Sequence, residues 1–198
     1  YERIGFEFPV GDTVEMVEAF VGIVNDECGG VHGRRLDLQL VEVTALGGGG
    51  VDIDTLRSAA CLEATDDLEA VLVLDLTGIQ GSAPLCIAGT EKTPLITTEP
   101  QSSDDLRTAR GRLLTTAVAG DTQLELAARS AEARGVLTGM TIAVIVSDTP
   151  GQSEAVSAGL LETMDDLGYD VQVHPIGCEG TTSCWVGLEA AVARMIDD

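Results

Sequence analysis

Short apolar runs of strand length alternate with longer segments of helical periodicity along this chain, and this alternation restricts the folds that it can adopt. The clearest runs are AVLVLDL (70–76) and MTIAVIVS (140–147). Both are almost continuously apolar, which is typical of strands that are covered on both faces of a sheet. Such strands, separated by helices, predict an α/β fold with doubly wound parallel sheets.

The remaining elements follow from the same periodicities. Further strands are predicted at residues 3–8, 36–43, 94–98 and 170–176. Helices are predicted from about Thr13, from about Asp54 to Ala64, and at residues 82–88, 121–135, 153–168 and 188–196. In the helix at 153–168, Gly168 stands where a C-terminal cap belongs.

The segment VNDECGGVHGRRLDL (24–38) predicts a turn between a helix and a strand. Gly29 and Gly30 end the helix, because glycine accepts the left-handed conformation that follows a C-terminal cap. Gly33 permits a second bend before the strand. His32 is expected at the exposed tip of this turn, where a solvated histidine is favoured over a metal ligand.

The charge of the chain argues against a nucleic acid partner, and its hydropathy argues against a transmembrane span. The 33 acidic residues against 11 basic ones give a formal net charge of −22. Such a surface repels phosphate backbones and anionic lipid heads, so we expect no nucleic acid partner. The longest apolar runs fall well short of the roughly 20 residues that span a bilayer, so we expect no transmembrane span in this chain.

Several segments, in their order and spacing, resemble one family. VNDECGGVHGRRLDLQLVEV (24–43) is similar to the N-x-x-GG-[VI]-x-GR-x-[IL]-x-L segment of the type I periplasmic binding proteins, which include the leucine/isoleucine/valine-type receptors of ABC importers. Segments 66–83, 93–106 and 140–171 resemble, in turn, the family's third strand with its ligand loop, the next strand and loop, and the strand, Gly-Gln turn and helix that open the second lobe. The resemblance extends over nearly the whole chain.

The resemblance implies two Rossmann-like lobes. Residues 1–118 would form the N-terminal lobe, and residues 119–198 would begin the second one. Only two strands are predicted beyond residue 118, so we expect the second lobe to be incomplete. The turn FPVGDTV (8–14) is shorter than the usual loop between the family's first strand and helix.

The carboxyl ends of parallel strands are where open α/β sheets bind ligands. In the resembled family, hydroxyl and backbone N–H groups of the first lobe hold the ligand, and residues of the second lobe close over it. By position, the predicted ligand-binding residues are Thr77, Gly78, Gln80, Thr97, Thr98, Glu99, Ser102, Asp148 and Gln152. Each of them could equally be a helix cap or a turn former.

The resemblance implies an extracytoplasmic receptor that captures a small polar solute in a cleft between the lobes for an ABC permease, without a cofactor. We expect the protein in the periplasm or at the cell surface, with a lipid anchor on sequence that precedes Tyr1. Pro150 stands where the family often has an aromatic residue facing a ligand ammonium, which argues against an amino-acid ligand. A ligand-sensing or structural surface module is an alternative.

An α/β enzyme is the other alternative, with Asp75 or Asp148 as acid, base or Mg²⁺ ligand. The tetraglycine at 47–50 lacks the G-x-G-x-x-G spacing of a dinucleotide site, and the sequence has neither a G-x-S-x-G elbow nor a P-loop. His174 has no second histidine or paired carboxylate near it in the sequence, so we interpret it as structural and expect no metal site.

Five cysteines in an exported chain favour disulfides over metal. In a lobe with strand order 2-1-3-4, right-handed crossovers place the first helix on one face of the sheet and the next two on the other. Cys61 and Cys86 then lie on neighbouring helices and are predicted to pair. Cys178 and Cys184 are predicted to form a local pair, which leaves Cys28 over. A zinc site is a weaker alternative, because no Cys-x-x-Cys or Cys/His spacing is present.

Overall fold

The structure, a computed structural model, describes residues 12–43, 53–76, 79–177 and 180–197. The chain divides into two compact units, Tyr1–Leu40 and Val41–Asp198. The predicted strand at 3–8 and the tetraglycine at 47–50 lie outside the described residues. The division into lobes at residue 118 stays a prediction.

The first unit contains helix α1 (Thr13–Asp26), which begins where the sequence predicts a helix. Asp12 caps it, because its carboxylate accepts hydrogen bonds from the backbone N–H groups of Val14 (2.9 Å) and Glu15 (3.1 Å). Asn25, near the other end, is the buried residue of this helix.

The turn after α1 has the predicted glycine conformations. Gly29 and Gly30 have positive φ angles of 72° and 80°, and the Gly30 N–H donates to the carbonyl of Val24 (2.9 Å), which closes the helix end. His32 is exposed, as predicted, and also has a positive φ angle, of 50°. A single antiparallel bridge between Val31 and Arg34 completes the turn.

The prediction of a strand at 36–43 is wrong, because these residues have no regular secondary structure. A strand requires backbone hydrogen bonds to a neighbouring strand, and the predicted neighbour at 3–8 lies outside the described residues. The backbone of Leu36 is instead bonded to a side chain. The Asn25 amide donates to the Leu36 carbonyl (2.9 Å) and accepts from the Leu36 N–H (2.6 Å).

The second unit contains a three-stranded parallel sheet in the order β1-β2-β3. The strands are β1 (Val73–Asp75), β2 (Leu95–Thr97) and β3 (Leu113–Thr115). In register, Leu95 lies between Val73 and Leu113. The next residues along β1 and β3, Leu74 and Leu114, point to the other face and are about half exposed.

Helices cover the buried face of this sheet. They are α2 (Ile53–Leu62) with a π-helical turn at Glu63–Asp67, α3 (Ala83–Leu85) with a π-helical turn at Cys86–Thr90, and α4 (Ser103–Thr108). Cys61, Ile87, Leu95 and Leu113 form the centre of the core with two alanines. The predicted disulfide between Cys61 and Cys86 is present, and Cys28 is a free, exposed thiol.

A second parallel sheet pairs β4 (Ile142–Ser147) with β5 (Val171–Ile176). The helices of this region are α5 (Gly120–Ala133), α6 (Gln152–Ala155), α7 (Glu162–Asp166) and α8 (Gly180–Asp197), and a π-helical segment at Val156–Leu161 joins α6 to α7. Ala128, Leu137 and Met164 form its core. Within the described residues, no helix combines the length and the apolar character that crossing a membrane requires.

Candidate functional site

The carboxyl ends of β1 and β2 are joined by a buried pair of polar side chains. The Thr97 hydroxyl donates to Oδ2 of Asp75 (2.7 Å), and the backbone N–H of Ile79 donates to the same oxygen (3.0 Å). The Thr97 hydroxyl also accepts a hydrogen bond from the N–H of Glu99 (3.0 Å). Since both side chains are buried, they fix the backbone at the start of the two loops that follow these strands.

Three of the predicted ligand-binding residues are linked to one another by hydrogen bonds. Nε2 of Gln80 donates to the Glu99 carboxylate (3.2 Å), and Nε2 of Gln152 donates to Oε1 of Gln80 (3.1 Å). Gln80 follows β1, Glu99 follows β2, and Gln152 is the first residue of α6. We call these three residues the amide cluster, and it connects loops of the first sheet with the segment that follows β4.

The other predicted residues have varied surroundings. Thr98 is exposed and makes no side-chain hydrogen bond within the described parts of the chain. Ser102 is buried and caps α4 by accepting from the Asp105 N–H (3.0 Å). Asp148 is exposed, and its backbone N–H donates to the Ile176 carbonyl (3.1 Å). Thr77 and Gly78 lie outside the described residues.

Two carboxylates that the sequence did not single out flank the start of α6. Glu154 accepts hydrogen bonds from the backbone N–H of Gly151 (2.6 Å) and from the hydroxyl of Ser153 (2.9 Å). Partial burial tends to raise the pKa of Glu154, but these hydrogen bonds and one from its own N–H lower it overall. The negative charge at this helix start is therefore stabilised.

Asp105 of α4 faces the same turn, since its Oδ2 lies 3.1 Å from the position that a side-chain carbon would take on Gly151. Burial raises the pKa of Asp105, and the negative charges of Glu154 and Asp104 raise it further, while hydrogen bonds from Ser102 oppose the shift. The site therefore has an acidic wall.

A further contact holds α4 against α5. The N–H of Ser103 donates to Oδ1 of Asp121 (2.8 Å), and the N–H of Gly120 donates to the Gln101 carbonyl (2.9 Å). Burial tends to raise the pKa of Asp121, but hydrogen bonds from Ser103 and from the first turn of α5 lower it overall. The ionised carboxylate thus serves this contact.

No metal-binding arrangement is found in the described parts of the chain, where no group of three or more His, Cys, Asp or Glu side chains could hold an ion. The predicted pair of Cys178 and Cys184 is not tested, because Cys178 lies outside the described residues.

No family model matches the chain, and no curated protein matches it. Several solved structures are similar to the chain. A leucine-binding protein LivK from Thermotoga maritima has a TM-score of 0.62 at 17% identity, over 90% of this chain and 48% of the LivK chain. A solute-binding protein of an ABC transporter from R. palustris, in complex with 4-hydroxybenzoate, has a TM-score of 0.58 at 13% identity, over 85% of this chain and 43% of that one.

A third similar structure is LivJ from Streptococcus pneumoniae in complex with isoleucine, with a TM-score of 0.51 at 9% identity, over 81% of this chain and 42% of LivJ. This chain thus spans less than half the length of these three proteins. Its structural neighbours are type I periplasmic binding proteins, including LivK and LivJ types. The chain therefore has an α/β fold with parallel sheets that it shares with part of the type I periplasmic binding proteins.

Proposed function

We propose that the chain belongs to an extracytoplasmic receptor that captures a small polar solute and delivers it to an ABC permease. The solute would bind at the carboxyl ends of β1 and β2, against the exposed Thr98, and would be enclosed by the segment from Asp148 to Gln152. Enclosure would occur by hinge closure between the predicted lobes.

The amide cluster is the observation that carries this proposal. Gln80 and Gln152 are 72 residues apart in the chain and yet share a 3.1 Å hydrogen bond. The cluster brings loops that follow three strands to one place, which is the edge where α/β folds bind ligands. Amide and carboxylate side chains that face one another there can exchange their mutual hydrogen bonds for bonds to a polar solute.

Two further observations support this receptor role. The structural neighbours include proteins described in complex with isoleucine and with 4-hydroxybenzoate, so their shared fold accommodates small solutes. The disulfide between Cys61 and Cys86 favours an oxidising compartment, in agreement with a location outside the cytoplasm. A lipid anchor remains part of the proposal.

The catalytic alternative has less support at Asp75. Its Oδ2 accepts hydrogen bonds from Thr97 and from the Ile79 N–H, so this carboxylate has a structural task. Asp148, the other candidate catalytic residue, is exposed. A receptor returns its ligand unchanged, whereas an enzyme consumes it, so recovery of the ligand distinguishes the two functions.

A thermal-shift screen of the full chain with amino acids, short peptides, amides, sugars and small carboxylates tests the proposal. A ligand at a hundredfold excess over Kd should stabilise the protein by about 2.7 kcal/mol, and chromatography should recover it unchanged. Thr98→Ala should weaken binding of the ligand found.

Thr138→Ala is the matched control, because Thr138 is also an exposed loop threonine but precedes β4 at the opposite end of its sheet. It should leave the affinity unchanged. A complete lack of ligands, or consumption of the ligand in a manner that Asp148→Ala abolishes, would contradict the receptor function.

A further inference from the structure

Arg57 of α2 differs from the other ion-paired arginines in how deeply its side chain is buried. Its side chain is 13% exposed, whereas those of Arg35, Arg107 and Arg129 are 70%, 72% and 46% exposed. Burying a guanidinium removes its hydration, so it requires partners that replace the lost water. The degree of burial therefore raises the question of what this charge binds.

The partner of Arg57 among the described residues is Asp54, one helical turn earlier. Nη1 of Arg57 lies 3.4 Å from Oδ1 of Asp54, which is longer than the 2.7–2.9 Å that is usual for charge-assisted hydrogen bonds. Asp54 itself is 41% exposed. A guanidinium has five N–H donors, so one long contact uses little of its capacity.

This ion pair lies directly against the loop that follows β1. A side-chain carbon on Gly81 would lie 2.6 Å from Oδ1 of Asp54 and 3.7 Å from Nη1 of Arg57. Gly81 has a positive φ angle of 69° and follows Gln80 of the amide cluster in sequence. The guanidinium is thus next to the candidate site, on the side of α2.

The candidate site is surrounded by negative charges, so the positive charge of Arg57 would change which solutes can bind. Glu99, Asp105, Asp148 and Glu154 make the site acidic, and a protein with a net charge of −22 repels anions. A fixed positive charge would therefore favour the binding of a solute with a negative group there. A guanidinium that is already desolvated offers a planar, two-pronged match to a carboxylate.

We propose that Arg57 determines specificity by binding a carboxylate group of the solute, in competition with Asp54. This inference rests on the proposed receptor function and adds to it the residue that recognises the negative group. The neutral or positive part of the solute would face Glu99 and Asp148. Asp54 would hold the guanidinium in place while the site is empty.

Calorimetric titration of the full chain with two matched probe pairs tests this inference: 4-hydroxybenzoate against 4-hydroxybenzamide, and L-leucine against L-leucinamide. The chain should prefer the carboxylate of at least one pair. Arg57→Gln should weaken binding of that carboxylate by about 10- to 100-fold, the value of a charged hydrogen bond, and change amide binding by less than about threefold. Arg57→Lys should retain part of the preference, because it keeps the charge and loses the planar fork.

Asp54→Asn gives a readout that a purely structural Arg57 would not move: carboxylate binding should become several-fold tighter, because the competing charge is gone. Asp54→Asn also tests the inference if Arg57→Gln does not fold. Arg107→Gln is the matched control, because Arg107 forms an ion pair of the same spacing with Asp104 but is exposed. It should leave both affinities unchanged.

The inference is overturned if the chain binds amide and carboxylate equally, or if Arg57→Gln weakens both probes by the same factor. If the wider screen finds only a ligand without a carboxylate, and neither probe pair binds, the receptor function is supported and this inference is wrong. If the whole screen yields no ligand, the receptor function and this inference both fail.

Discussion

At the residue scale, the same polar side chains at strand ends can serve either the ligand or the fold. Thr97 has no exposed surface, and its hydroxyl is bonded to Asp75 and to the Glu99 N–H. Ser102 is a buried helix cap. Thr98, one residue after Thr97, is exposed. Sequence position could predict that all three lie at or after the end of the same strand, but not which of them have free hydroxyl groups.

Gly30 illustrates a residue that the backbone requires. A side-chain carbon there would lie 2.5 Å from the carbonyl carbon of Arg34, at a φ angle of 80°. Gly30→Ala should therefore destabilise the unit Tyr1–Leu40 by about 3 kcal/mol, from left-handed strain and collision together. Gly29→Ala, where a side chain meets open space, should cost about 1 kcal/mol from strain alone. Hydrogen exchange of the α1 amides measures the loss of stability in each variant. Equal losses in the two variants would contradict a steric collision at position 30.

The raised pKa of Asp105 predicts a dependence of stability on pH. Its folded-state pKa lies above the ordinary value of 3.8, so the protonated form is favoured by folding. The resulting stabilisation is complete below pH 3.8 and is lost as pH rises through the folded-state pKa. Asp105→Asn should thus make the protein more stable at pH 7, by less than about 1 kcal/mol because the carboxyl is only partly buried, and should leave its stability below pH 3.8 unchanged.

Urea denaturation between pH 3 and pH 8 measures this effect. Asp170→Asn is the control, because Asp170 is exposed and should change stability by less than about 0.5 kcal/mol at every pH. A loss of stability at pH 7 in Asp105→Asn would show instead that the ionised carboxylate is needed to cap α4.

At the element scale, periodicity predicted the long helices and the longer strands. The apolar runs at 140–147 and 170–176 correspond to β4 and β5, and the predicted helix at 121–135 corresponds to α5. Short elements were missed: β3 and α4 span three and six residues, between the predicted strand at 94–98 and the predicted helix at 121–135. Such short elements do not repeat their hydrophobic pattern, so only the packing of Leu113 in the core identifies β3.

Helix packing in the second part of the chain depends on a glycine. A side-chain carbon on Gly159 would lie 2.6 Å from the Cα of Asp121, so the segment at Val156–Leu161 approaches the backbone of α5 closely. Gly159→Ala should destabilise the protein by about 3 kcal/mol in thermal denaturation. Gly89→Ala is the control, because its nearest neighbour is 3.7 Å away, and it should leave stability unchanged or raise it by up to about 1 kcal/mol.

The disulfide between Cys61 and Cys86 connects two helical segments on the buried face of the first sheet. The cysteines are 25 residues apart, and a loop of this length corresponds to about 3.5 kcal/mol in the chain-entropy model. Replacing both by alanine should lower the free energy of unfolding by about this amount. Cys28→Ser, at the exposed free thiol, should change it by less than about 0.5 kcal/mol. Equal changes in the free energy of unfolding for the two variants would contradict a structural role of the disulfide.

At the scale of the whole molecule, the resemblance in segment order anticipated the fold that the solved structures share. The meeting of Gln80 with Gln152 could not be predicted from local pattern, because it depends on how α6 lies against the loops of the first sheet. The acidic wall of Asp105 and Glu154 was missed for the same reason. Contacts between distant segments are set by packing.

Amide hydrogen exchange, with and without the ligand found by screening, tests the central claim that this edge captures a solute. The ligand should slow exchange in residues 79–82, 98–103 and 148–154, around the amide cluster, and leave the amides at 134–140, before β4, unchanged. Gln152→Ala should reduce the protection at 148–154, because it removes the hydrogen bond to Gln80. Protection that is confined to segments away from these loops would contradict the account.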